Sequence, residues 1–265
     1  MKNITIIVPL HVYEEKLLEK ALQSVPVSGE EYTLLFVGPK DICSKAEKLT
    51  KKLKIELHVS ICENDETDFV TQINKAVFKC TDQYFTILEF DDAFTDIYFR
   101  VMQRYAEEHP EYSIILPVNE YYNPSGELIG FGNEIALGAA FADTVGLVGV
   151  TELETYMDFN CTGGLIKTED FISIGGLKKS LKLASWYEFL LRAAYKSKKI
   201  YVIPKFGYQH TVGRDGSYMV EAQKAISQEE GQFLIKTAKQ EYFFKEDRNK
   251  TFADEQNKKQ EEEGK

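Results

Sequence analysis

Apolar and polar residues alternate in short blocks along the first third of the chain. Ile4-Thr5-Ile6-Ile7-Val8-Pro9 is a compact β-branched run, the pattern of a strand buried on both faces of a parallel sheet. From Glu14 to Val25 the spacing changes: Leu17, Leu18, Ala21, Leu22 and Val25 recur at helical intervals. The alternation then repeats. Strands are predicted at residues 32–37, 55–59 and 84–88, and helices at residues 41–53 and 68–79. Strands and helices in turn, joined by short connections, predict a mostly parallel central sheet with helices on both faces. The second half is less regular. It predicts a helix at residues 96–108, a strand at residues 113–118, a hairpin around Asn123-Pro124-Ser125-Gly126, a short strand at residues 163–166, a helix at residues 186–196 and a last strand at residues 200–204.

The fourth strand ends in Glu89-Phe90-Asp91-Asp92. Ligands of open parallel sheets gather at the carboxyl ends of strands. Three acids within four residues at that edge repel one another unless a cation neutralises them.

Composition narrows the classes. Of the 265 residues, 43% are hydrophobic and 28% charged, which suits one large α/β domain. The net charge of -10 gives no pull toward nucleic acid or anionic lipid. Four scattered cysteines carry no zinc-ligand spacing and suit a reducing cytoplasm. The first residues lack the apolar segment of a signal peptide, and the apolar runs are too short to span a bilayer. From residue 246 the chain is charged and poor in large apolar residues, which predicts a disordered tail.

Four stretches, in order, resemble family-two glycosyltransferases: the opening strand through Pro9 with the helix behind it, Asn74-Lys75-Ala76, Glu89-Phe90-Asp91-Asp92, and Phe171 to Leu177 with Gly175-Gly176, followed by Glu188 and Arg192. Trp186 to Arg192 with Tyr208-Gln209-His210 is also similar to small members encoded by large viruses, which implies a host cytoplasm. The resemblance implies a GT-A fold, with residues 1–95 as donor-nucleotide half and 96–245 as acceptor half. It implies a metal-dependent, inverting transfer of a sugar from a nucleoside-diphosphate sugar to an acceptor hydroxyl. Mn²⁺ or Mg²⁺ would be held by Asp91 and His210, and would stabilise the leaving diphosphate. Pro9, His11, Asn74, Glu89, Asp92, Arg214 and Ser217 would contact the donor, with Arg214 and Ser217 clamping the diphosphate. Gly175, Gly176 and Trp186 would face the acceptor.

Two departures stand out. The second strand ends Val37-Gly38-Pro39, where the family places a base-reading acid; Asp65 or Asp68 could substitute. Trp186 stands where the family places its catalytic acid. Glu188 is the nearest acid and the expected general base, with Asp158 and Asp170 behind it. These departures keep open a second reading, a catalytically silent module that binds a sugar nucleotide or glycan. A nucleotidyltransferase is a third, weakened because no glycine-rich phosphate loop follows the first strand. The acceptor is open among a glycan, a lipid-linked sugar, a protein side chain and a modified nucleobase.

Overall fold

The computed structural model describes residues 3–135, 138, 146–157, 159–249 and 251–254. Asp158 and the end of the charged tail lie outside the described residues.

The first third folds as its pattern predicts. β1 (Ile4–Pro9), α1 (Glu15–Gln23), β2 (Tyr32–Gly38), α2 (Lys40–Lys52), β3 (His58–Glu63), α3 (Phe69–Val77) and β4 (Tyr84–Ile87) alternate. β3 begins three residues later than expected. Glu56 N–H bonds to Val27 O instead of joining the ladder, so pairing starts at His58 opposite Thr33.

The remaining elements are β5 (Ala93–Phe94), α4 (Tyr98–Glu108), β6 (Tyr112–Tyr122), β7 (Leu128–Gly132), β8 (Leu147–Val148), α5 (Val150–Thr155), β9 (Leu165–Lys167), α6 (Thr168–Ser173), a 3₁₀ turn (Lys179–Ala184), α7 (Ser185–Tyr195), β10 (Lys199–Thr211), α8 (Tyr218–Lys224) and α9 (Gln228–Glu241). The expected hairpin is β6–β7. β10 runs seven residues past the predicted end at Pro204. The register shifts between Val202 and Phe206, so the missing N–H of Pro204 falls in a bulge.

Among the described residues ten strands form one sheet in the order β3-β2-β1-β4-β9-β6-β10-β5, with β7 on β6 and β8 on β10. β1, β2, β3, β4, β6 and β10 point one way, and β5, β7, β8 and β9 run against them. The mostly parallel sheet is thus observed. The two-residue period of β1 divides the core. Ile4, Ile6 and Val8 pack under α1, α2 and α4, while Ile7 packs under α3, α6 and α7.

The second half joins the first where β9 pairs with β4, and β5 of the first half lies beyond it, paired with β10 at the far edge. The described tail residues also make contacts where disorder was expected. Asp247 accepts hydrogen bonds from Ser180 N and Oγ at 2.9 and 2.5 Å. Among the described residues no helix is long and apolar enough to cross a membrane.

Candidate functional site

β1, β2 and β3 follow one another toward one edge of the sheet, whereas β4 lies on the other side of β1. The chain therefore reverses direction between β1 and β4, and the crevice beyond their carboxyl ends is the natural ligand position. His11 leaves β1 there and Glu89 to Asp92 leave β4. The end of β10 completes the site from more than a hundred residues away.

The acids there are nearly enclosed: Glu89 is 8% exposed, Asp91 4% and Asp92 1%. Glu89 N–H donates to Tyr208 Oη at 3.0 Å, and its Oε1 accepts from Thr162 Oγ1 at 3.3 Å. Burial, and then the charge of Asp92, push the Glu89 carboxyl up to about 8. Asp92 accepts from His210 Nδ1 at 2.8 Å and from Thr211 N–H at 2.7 Å. Burial alone would lower the imidazole of His210, but the charges of Asp92, Glu89 and Asp91 outweigh it and lift His210 to about 9. Asp91 pairs with Arg214 Nε at 2.7 Å. Burial and Asp92 raise its carboxyl, and Arg214 opposes them.

Glu89, Asp92 and His210 each offer a ligand atom, and these lie within 4.8 Å of one another. Two carboxylates and an imidazole fit a divalent ion such as Mn²⁺. Burial and the neighbouring Asp92 disfavour the Glu89 anion, and a bound cation would offset both. The expected ligand His210 is in this group. Asp91 is not, because Arg214 occupies it. His210 lies within β10 and not beyond the last strand, its side chain directed by strand alternation toward Asp92.

The other expected donor residues divide. Pro9 ends β1 opposite Val37. His11 Nε2 donates to Gly216 O at 2.8 Å, and its ring lies among Phe90 and Tyr218. Burial lowers the pKa of this imidazole. Arg214 also bonds to Glu14 Oε1 at 3.0 Å and lies over the Phe90 ring. Ser217 Oγ caps α8 through Val220 N–H. Asn74 clamps Leu177 through both its side-chain N–H and its C=O, each at 2.8 Å. The missing acid after β2 has a steric cause. A Cβ on Gly38 would stand 2.2 Å from Leu10 O, so no side chain fits. Asp68 caps α3 at Thr71 N–H and pairs with Lys179 at 3.2 Å.

The acceptor-side expectations are corrected by packing. Glu188 is 0% exposed, both its oxygens bond Arg192 at 2.9 Å, and Lys178 Nζ lies 2.9 Å from Oε1. Enclosed by two cations, it is not placed to receive a proton from a bound hydroxyl. Arg192 in turn donates to Ile174 O and to Gly176 O, so the trio holds the glycine turn. Gly175 packs on Lys245, and Gly176 packs on Asn74 at positive φ, which makes both structural. Trp186 is half-buried and packs against Phe171 and Phe189. Asp170 pairs with Lys198 beside the N-terminal edge of the sheet, because β9 runs antiparallel and delivers α6 there.

Sequence reasoning missed Tyr208, Thr162, Thr211 and Tyr218 as builders of this site. Tyr208 stood only within the Tyr208-Gln209-His210 resemblance and no local motif marks the others; the β10 register, the turn before β9 and the start of α8 bring them in.

Scans of the sequence against family models and against curated proteins return no match. Solved structures do match in fold. TarS 1–349 of S. aureus in complex with UDP-GlcNAc superposes with a TM-score of 0.65 at 18% identity, over 89% of this chain and 65% of that one. TarS 1–349 in complex with UDP gives 0.59 at 16%, over 88% and 69%. A further TarS structure gives 0.57 at 18%, over 84% and 38%. The chain thus spans less than two thirds of the first of these, and at such identity the likeness shows a shared α/β fold.

Proposed function

We propose that this protein is a metal-dependent, inverting glycosyltransferase that takes a nucleoside-diphosphate sugar in the crevice between β1 and β4. One observation carries the reading: Glu89, Asp92 and His210 converge within 4.8 Å at the switch point of the sheet, beside the Asp91–Arg214 pair. The shared fold supports it, since neighbours of this fold hold UDP and UDP-GlcNAc.

A divalent ion bound by Glu89, Asp92 and His210 would supply Lewis-acid stabilisation of the departing diphosphate. Around it, Tyr208 and Thr162 hold Glu89, and Thr211 N–H orients Asp92. Arg214 pairs with diphosphate oxygens, since its Nη2 has no hydrogen-bond partner among the described residues. The acceptor hydroxyl would attack the anomeric carbon from the face opposite the diphosphate, whose bond to that carbon breaks as the new one forms, and would give up its proton to a base outside α7. Four unpaired thiols suit a cytoplasmic setting.

A second reading has its own observation. With Trp186 in the family's acid position and Glu188 sealed, α7 brings no free acid toward an acceptor, as expected of a silent module that binds sugar nucleotides. Incubation with a panel of nucleotide sugars, Mn²⁺ and candidate acceptors separates the two. Release of nucleoside diphosphate that Asp92→Asn abolishes supports the transferase. Metal-coupled binding with no turnover supports the module. Absence of manganese-coupled nucleotide binding would sink both.

A further inference from the structure

The crevice between β1 and β4 is filled by the protein itself. Beyond β10, residues 212–217 cross the carboxyl edge of the sheet and lead into α8. Three contacts fasten this strap. Arg214 bonds to Asp91 at 2.7 Å and to Glu14 at 3.0 Å. Gly216 O accepts from His11 Nε2 at 2.8 Å. The Tyr218 ring then lies 3.8 Å from the His11 ring, its hydroxyl on Gln72 Oε1 and its edge near Phe69 at 5.2 Å. Gln72 is fully buried and donates to Leu10 O at 3.1 Å, so this anchor is rigid.

Besides these, Val212 N–H bonds to Tyr122 O at 2.8 Å and Ser217 is buried. α8 contributes no buried residue to the core. Gly213 and Gly216 take φ of 78° and 80°, and no heavy atom lies within 4 Å of a Cβ built on Gly213. Both ends of the Arg214 turn thus sit in a conformation that glycine adopts without cost. Two polar atoms under the strap, His11 Nδ1 and Arg214 Nη2, lack hydrogen-bond partners among the described residues.

We propose that Tyr218 is the gate of the donor site: it occupies the nucleobase position against His11, and must leave before a base can stack there. The proposal rests on the donor-site reading above. The steric reason is direct. Ring centroids 3.8 Å apart leave no room for a third ring between them, and Phe90 closes the other side of His11 at 5.4 Å. Arg214 plays the matching part for charge. It neutralises Asp91 in the closed strap and is freed to meet the diphosphate when the strap opens. Selection among nucleotides is then set by which base repays displacement of Tyr218, since no acid follows β2. A donor site open in only a fraction of molecules shows an affinity reduced by that fraction.

The test uses the full chain, UDP as probe and Mn²⁺ throughout. Calorimetry compares the parent with Tyr218→Ala and with Tyr218→Phe, which loses only the bond to Gln72. Tyr218→Ala is expected to bind UDP roughly tenfold more tightly, with Tyr218→Phe between it and the parent. Hydrogen exchange with and without UDP gives a second measure. Residues 213–224 should exchange faster in both variants than in the parent, and faster in the parent once UDP is added. Equal or weaker UDP binding by Tyr218→Ala overturns the gate, as does slower exchange of residues 213–224 in the UDP-bound parent. If none of the three proteins binds UDP, GDP, CDP or dTDP, the donor-site reading itself is defeated, and the gate with it.

Discussion

Glu89→Gln should stabilise the metal-free protein near neutral pH, although it removes a charge from a hydrogen-bonded site. Glu89 is 8% exposed, and its carboxyl is pushed up to about 8 by burial and by Asp92. The folded state therefore holds a proton that the unfolded chain gives up near pH 4.5. As far as Glu89 goes, stability is full below 4.5, falls as pH rises toward 8, and is level beyond. Each pH step in that window costs about 1.4 kcal/mol, so burying this carboxyl costs at most about 3 kcal/mol at pH 7. His210 has the opposite effect. Its raised value contributes stability that is full below 6.5 and lost as pH climbs through about 9. Removing Glu89 withdraws one support of the imidazolium, which leaves a net gain of about 1–2 kcal/mol. Glutamine keeps an oxygen for Thr162 Oγ1, so the hydrogen bond survives. Urea denaturation in chelator, at intervals from pH 5 to pH 9, measures the effect. Glu89→Gln should be more stable at pH 7 and 8 and should show less loss between pH 5 and 8. Mn²⁺ should raise the stability of the parent and leave the variant unchanged. A variant no more stable than the parent at pH 8, or one with the same pH slope, would refute the electrostatic account of the site.

Three further perturbations probe other parts of the structure. Asp92→Asn strips His210 of its nearest anion and should cost about 3 kcal/mol in chemical denaturation, as breaking a buried pair does, while abolishing stabilisation by Mn²⁺. Glu188→Gln leaves Lys178 and Arg192 as buried cations with no carboxylate between them. It should cost about 3–5 kcal/mol of stability, and UDP affinity at a temperature where the variant is folded should stay within about twofold of the parent. A large loss of turnover without loss of stability would restore Glu188 as the base. Gly38→Asp, which places an acid where the family has one, should fail to recruit a nucleobase. Its Cβ meets Leu10 O at 2.2 Å, so the melting temperature should fall by at least about 4 °C, and tighter UDP binding would contradict the steric reading.

The sequence by itself determined the sheet and where its acid cluster lies. Buried parallel strands require continuous apolar runs such as Ile4–Pro9, and the helices between them require a 3.6-residue stripe. Both are local patterns, legible without any distant contact. The strand-end position of Glu89, Asp91 and Asp92 was equally legible, because a charge cluster closing an apolar run stands out in one dimension. Only the tertiary structure decided how those acids are shared. His210 reaches Asp92 across 118 residues and Arg214 reaches Asp91 across 123, through a β10 register that Pro204 disguised as an ending. Glu188 and Asn74 looked functional because they match a motif. Burial against Arg192, Lys178 and Leu177 gave them structural roles. The physical reason is common to both outcomes. Local patterns report the backbone period and which face is apolar, whereas the partner of a charged side chain is set by contacts between segments far apart in sequence.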